Sequence, residues 1–425
     1  MDLKAANRPT AAESALIEAY TAQVGTLPGD GSVMIARDRL FAELRQGGLP
    51  TRRVEAWHYT DLKTLLRAVP AMEPAATGDV ATPLVAGSSL LVVNQGRTQN
   101  AGSLPDGVVV ERLSEALVAG RHVACLVPFK ADDAIGRING SFVTDGFALS
   151  FADGAELEAP LELQLTHAAG QAHSRFPVSI GAGVKATVIE RHISSASGAS
   201  FVSSVSDLKL GEGAEITWVI VQGQGSEDTH LGQIKAVLGT DAKFRLFIVN
   251  TGGRLVRQEV HVNTAGEGSD FTLRGVNLLG GDTHTDITMT LGHDVPNTTS
   301  TEVIRNVVFD RAKGVFQGMI KVAPDAQKTD ARMACNTLLM SDDAEFSVKP
   351  ELEIFADDVQ CAHGATVADI MKTHLYYLMS RGIPEKKARG LLINGFVAEI
   401  VEELEDEALV EALETVISDW LERHG

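Results

Sequence analysis

Ser150-Phe-Ala-Asp-Gly-Ala-Glu-Leu157 sets a pattern that returns three times in the following ninety or so residues. Ser179-Ile-Gly-Ala-Gly-Val-Lys-Ala186, Lys209-Leu-Gly-Glu-Gly-Ala-Glu-Ile216 and Val237-Leu-Gly-Thr-Asp-Ala-Lys-Phe244 align with it, the starts lying 29, 30 and 28 residues apart. A fifth, poorer copy places Phe271 27 residues after Phe244. Each copy reads as strand, tight turn, strand, with a Gly or Asp where the turn needs a positive φ. One such unit cannot bury both faces of its strands, but stacked units make a continuous core. A β-sandwich also has strands at short regular spacing, but its loops vary more in length. The near-constant period therefore favours a β-solenoid. The expected class is mainly β: a central parallel β-helix flanked by helical regions at both ends.

Working outward, residues 1–75 read as an N-terminal helical region. Thr10 precedes a Glu three residues on, a capping box, and Leu16, Ile17 and Tyr20 follow at helical spacing. A second amphipathic stretch, Ile35 to Leu44, carries Leu40, Phe41 and Leu44 on its apolar side, with Arg37, Asp38 and Arg45 elsewhere. Gly47-Gly48 ends it. Trp57 is an aromatic anchor, and Thr60 is placed to cap a short helix over Asp61 to Arg67. Residues 76–139 are a mixed connecting segment around a strand at Ser89 to Asn94. Residues 140–363 are the repetitive core.

Residues 364–425 are helical again. Arg381-Gly-Ile-Pro384 is a stop and restart. Ala388, Leu392, Phe396, Ile400 and Leu404 then recur at every fourth position as one apolar stripe. Ten acidic residues and one Arg fall between Glu399 and Gly425. Two readings of this tail stay open: a helical cap over an open solenoid end with a solvated acidic face, or a docking site for a partner.

Composition narrows the function. The chain has 425 residues, 44% apolar and 22% charged, with mean hydropathy +0.04, which is ordinary globular composition. No apolar run is long enough to span a bilayer, and Met1 to Pro9 holds no apolar signal core. The net charge of −19, with no basic run, argues against nucleic acid. Three cysteines, Cys125, Cys335 and Cys361, lie far apart. They cannot form a disulfide framework, so a reducing, cytoplasmic setting is expected. No P-loop, His-Glu-x-x-His or Gly-x-Ser-x-Gly sequence occurs. A polysaccharide-cleaving solenoid enzyme would need clustered carboxylates or basic residues on one face; Asp282, Asp286, Asp294 and Asp310 are candidates, but their spacing shows no motif.

The residues that stand out are Cys361 and His363. In an extended stretch they share one face. A thiolate and an imidazole together suit a borderline metal such as iron or zinc, yet two ligands are too few for a closed site. The pair implies donors from a second chain, an open transfer site, or a buried cysteine beside a hydrogen-bonded histidine.

Pro350-Glu-Leu-Glu-Ile-Phe-Ala-Asp-Asp-Val-Gln-Cys-Ala-His-Gly-Ala-Thr366 resembles the signature of the SufB/SufD family of SUF iron–sulfur cluster assembly. Glu55-Ala-Trp-His-Tyr-Thr-Asp-Leu62, His293-Asp-Val-Pro-Asn-Thr-Thr-Ser300, Gly314-Val-Phe-Gln-Gly318, Ala326-Gln-Lys-Thr329, Asn336 to Ser341, Tyr376-Tyr377, Ser380 to Ile383 and Ala388 to Phe396 are similar to further family segments, in the same order. Gly364, where SufB-type chains carry Glu, and the chain length point to the SufD-type branch. Ala362 departs from the usual Ser. Cys335 matches no family position and reads as a core strand cysteine.

The resemblance implies a right-handed parallel β-helix and a non-enzymatic scaffold. It implies pairing with a SufB-like subunit through the β-helix and with a SufC-like ATPase through the C-terminal helices, Leu392, Phe396, Ile400 and Leu404 being the docking stripe. A transient iron–sulfur cluster or iron would be shared with the partner at their interface, with His363 as ligand and Cys361 as its neighbour. The ATPase would supply hydrolysis and shift the interface, so this chain itself binds no nucleotide. A carbohydrate-active solenoid enzyme and a homodimeric iron-storage accessory are the competing classes, the second including a homodimer of the purified chain.

Overall fold

The computed structural model describes residues 8–73, 77–99, 102–195 and 198–424. Most of Met1 to Pro9, the stretch read for a signal core, lies outside them. From Phe147 onward, successive strands alternate between two sheets, one of ten strands and one of nine among the described residues. The first coil comprises Phe147–Phe151 and Leu161–His167, one strand in each sheet, and the last comprises Glu345–Ile354 and Gln360–Ala368. About eight coils stack between these limits. Within each sheet the coil strands run parallel, which separates this fold from a sandwich of antiparallel hairpins.

The sequence repeat is the stacking register. Ser150 lies beside Ser179, Ser179 beside Lys209 and Lys209 beside Val237, while Phe244 faces Phe271. The fifth letter of each copy takes the turn: Gly154, Gly183, Gly213 and Asp241 all have positive φ, and Gly268, Asn297 and Lys328 continue the column. At Gly266, two positions before its turn, the backbones of neighbouring coils almost touch. A Cβ on Gly266 would stand 2.0 Å from Gly239, so this place admits no side chain. Alternate residues point into the coil, and Phe244 and Phe271, both fully buried, stack there with ring centroids 5.7 Å apart. Burying one such ring contributes about 2–3 kcal/mol.

Helices cover both outer faces. The N-terminal helices Ala11–Gln23, Gly31–Gly47 and Ala134–Phe142 pack on the nine-stranded sheet through Leu16, Tyr20, Phe41 and Phe142 against Phe201, Val205 and Leu231. The Thr10–Glu13 capping box is formed. Two details differ from expectation. Arg37 is wholly buried, and its guanidinium donates to the carbonyls of Pro28, Gly140, Ser141 and Val143. Asp61, not Thr60, caps the short helix Leu62–Leu65. Thr60 is instead buried against His284 and Asp286 on the sheet.

The tail does not plug the solenoid. Helices Glu385–Val401 and Glu407–His424 fold back along the outer face of the ten-stranded sheet, where Ile393, Val397, Ile400, Leu413, Ile417 and Trp420 meet Val219, Phe247, Val276 and Val307. Part of the acidic run is paired while still exposed: Glu399, Glu403 and Glu405 take Arg305, Arg274 and Arg245 of that sheet at 2.6, 2.6 and 3.2 Å. The sheets also start before residue 140, since Ser89–Asn94 joins one and Val108–Arg112 closes the other antiparallel to Phe147–Phe151. At the opposite end nothing equivalent is present among the described residues, and the last coil stands uncovered.

Candidate functional site

Gln360–Ala368 is the terminal strand of the ten-stranded sheet, and Glu345–Ile354 terminates the other. Both therefore present an edge with no further strand beside it. A bare edge is a template for another chain. Strand alternation places Cys361, His363 and Ala365 on one face. In register they follow Ala331, Met333 and Cys335, three buried residues of the coil interior. Cys361 and His363 thus face the mouth of the lumen. Cys361 is half-buried, while His363 is exposed. Burial raises the Cys361 thiol above its ordinary range, against a backbone hydrogen bond from Ala331, with Asp330 adding to the rise. A metal, by displacing the proton, would reverse that. Among the described residues no three His, Cys, Asp or Glu side chains converge to hold a metal ion. Cys361 and His363 stand there without a third such side chain beside them.

The other expected residues fall as follows. Cys335 is buried, its thiol pushed up to about 12 by burial, and its sulfur accepts from Asn306 Nδ2 at 3.4 Å. It is a core cysteine. Ile400 is buried, and Phe396 and Leu404 pack half-buried against the flank cluster, with Arg305 lying 4.7 Å over the Phe396 ring. Leu392 is half-buried. Most of the stripe is therefore occupied by the chain's own sheet, because the buried side of Glu385–Val401 is centred on Ala388, Ile393, Val397 and Ile400. The exposed apolar groups of the C-terminal region are others, among them Phe355, Met371, Tyr376, Tyr377 and Leu391. Sequence periodicity missed them as a surface, although Tyr376-Tyr377 already stood among the family-like segments. Asp282 and Asp310 border one surface cavity, but Asp286 and Asp294 do not join them there. Asp282 pairs with Arg311, Asp286 is buried with Arg257, and Asp310 accepts from the Gly281 amide.

The fold and the site define a class, a two-sheet parallel solenoid whose uncovered terminal coil carries Cys361 and His363 on one face. Residues 164–396 match the family model described as SUF system FeS cluster assembly, SufBD core domain. The chain is 30% identical over 380 residues to the iron–sulfur cluster assembly protein SufD of Escherichia coli, covering 86% of this chain and 88% of the relative. It is 26% identical over 400 residues to an iron–sulfur cluster assembly SufBD family protein of Synechocystis, covering 86% and 88%. SufB of Bacillus subtilis is similar over 212 residues at 26% identity, covering 50% of this chain and 46% of the relative. The chain belongs to the SufBD family of SUF iron–sulfur cluster assembly, on its SufD side. Its role lies in that assembly.

Proposed function

We propose that the chain is a non-enzymatic scaffold subunit whose open coil end is completed by a SufB-like subunit. The nascent cluster, as cargo, would form where the two meet. His363 would hold iron through a neutral imidazole, and Cys361 would contribute its thiolate or shape the pocket. The observation that carries this reading is the position of the pair: lumen-facing, at the mouth, beside two bare sheet edges. Those edges let a second solenoid continue both sheets by strand addition, which would bring its donors opposite His363. The similarity to a SufB protein over half the chain supports a partner built on the same plan.

A SufC-like ATPase is the second proposed partner. Its docking surface moves from the stripe to the exposed side of the C-terminal helices, around Tyr376, Tyr377 and Leu391. ATP-driven closure would bias the interface between two arrangements. Three free cysteines, and no described helix long and apolar enough to cross a membrane, agree with a reducing cytoplasmic setting.

Co-expression with a SufB-like and a SufC-like chain, followed by pull-down, tests the partnership. Recovery of a ternary complex is expected, and Tyr376→Ala/Tyr377→Ala should lose the ATPase while keeping the SufB-like chain. Recovery of this chain alone as an iron-loaded homodimer would favour a storage accessory instead.

A further inference from the structure

His293 to Ser300 takes no part in the terminal site. Both end residues are buried, with His293 Nε2 3.3 Å from Ser300 Oγ and Nδ1 2.8 Å from Thr298 Oγ1. Two residues further along the same strand comes Glu302, also fully buried. The register ties this strand to the terminal pair. Ser300, Ala331 and Cys361 form one column of the coil, and Glu302, Met333 and His363 form the next. Strands in a sheet lie about 4.8 Å apart. Cys361 and His363 therefore stand about 10 Å along the coil axis from Ser300 and Glu302.

Glu302 has no well-formed hydrogen bond; the Ser300 hydroxyl is the side-chain donor that acts on it. Neither carboxyl oxygen meets a hydrogen-bond donor in acceptable geometry. Arg274, the cation that acts on it, sits on the outer face of the sheet with Nε donating to Glu403 at 2.6 Å. Burial pushes the carboxyl up to about 8, against smaller opposing effects of Ser300 and Arg274. Between Glu302 and the mouth stands Met333, an unbranched thioether seated over a glycine: a Cβ on Gly318 would lie 2.3 Å from its sulfur.

We propose that Glu302, with Ser300 and Met333 beside it, is an internal station for one divalent cation of the ferrous class, in line with Cys361 and His363. Carboxylate and hydroxyl oxygens with a thioether sulfur, and the His293 imidazole behind Ser300, form a mixed donor set suited to such a metal. Binding exchanges the carboxyl proton for the cation, the proton passing to solvent, and no electron moves. The shortage of strong donors makes the station a place of transit rather than a closed structural site. That the cation is iron rests on the function proposed above, whereas the station itself does not.

The test is an anaerobic titration of the full-length chain with Co²⁺ alone, read by visible absorption and by the shift of thermal unfolding. His363→Ala should leave a bound Co²⁺. Glu302→Gln should weaken it at least tenfold, and Glu302→Asp should retain part of the affinity. Met333→Leu, which preserves the packing, serves if Glu302→Gln does not fold, and should also weaken binding. Unchanged affinity in Glu302→Gln, or in Met333→Leu where it stands in, overturns the station. So does loss of all binding in His363→Ala, or no binding by the wild-type chain. Cluster build-up that fails in His363→Ala while Co²⁺ binding ignores Glu302 would leave the terminal reading standing and remove only the station.

Discussion

The Arg257 guanidinium lies 3.8 Å from the centre of the Trp57 ring and so joins the N-terminal region to the solenoid. The same side chain donates to the Ala56 carbonyl at 2.7 Å and to Glu259 at 3.2 Å, and pairs with Asp286. All three charged groups are buried. Burial alone would raise the Glu259 carboxyl, but Arg257 and His261 hold it well below the usual carboxylate range.

Removing the cation leaves two buried carboxylates without it. Arg257→Ala should destabilise the protein by about 3–5 kcal/mol, measured by urea unfolding. A cost under about 1 kcal/mol would mean that the N-terminal region is held by its apolar contacts alone.

The C-terminal flank should respond in the opposite sense, to apolar rather than charged substitutions. Ile417 is buried against the sheet, and Ile417→Ala should cost about 2–5 kcal/mol. The Arg274–Glu403 pair is partly exposed on its acidic side, and Glu403→Gln should cost less than about 1 kcal/mol. Thermal unfolding of the two variants distinguishes a packed flank from one held by charge.

Two buried groups should make stability depend on pH in opposite senses. His173 is buried and its imidazole is lowered from 6.5 to about 3 by burial. The unfolded chain thus binds the extra proton first, and stability is lost as pH drops from 6.5 towards 3. Glu302 is raised from 4.5 to about 8. Its folded form keeps the proton longer, so its contribution is full below 4.5 and fades as pH rises to 8. His173→Asn should flatten the acid limb of unfolding free energy against pH, and Glu302→Gln the limb from 4.5 to 8. Parallel curves for variant and wild type would contradict these assignments.

Much of the fold was legible because a solenoid writes its register into the sequence. Ser150, Ser179, Lys209 and Val237 align as letters for the same reason that they align as neighbours, since each coil must return to the same place. The strand Ser89–Asn94 and the Thr10 cap were equally local. What sequence could not give was which face of a helix meets which sheet. Every-fourth-residue counting drifts around a helix of 3.6 residues per turn, so the apparent stripe through Leu392 and Leu404 departs from the buried line through Ile393 and Val397. Arg37 looked like a surface charge because its four carbonyl partners come from residues distant in the chain or outside its helix. The terminal pair was legible as chemistry, but its place at a lumen mouth depends on coils assembled from the whole chain.

The central claim is that His363, at the open end of the coil, holds iron of a cluster made together with a partner. Its most direct test is anaerobic reconstitution of the co-purified complex carrying His363→Ala, followed by cluster absorbance and bound iron and sulfide. The account predicts a complex that assembles normally, unfolds at the wild-type temperature and accumulates little or no cluster. A wild-type yield of cluster on that variant would contradict it.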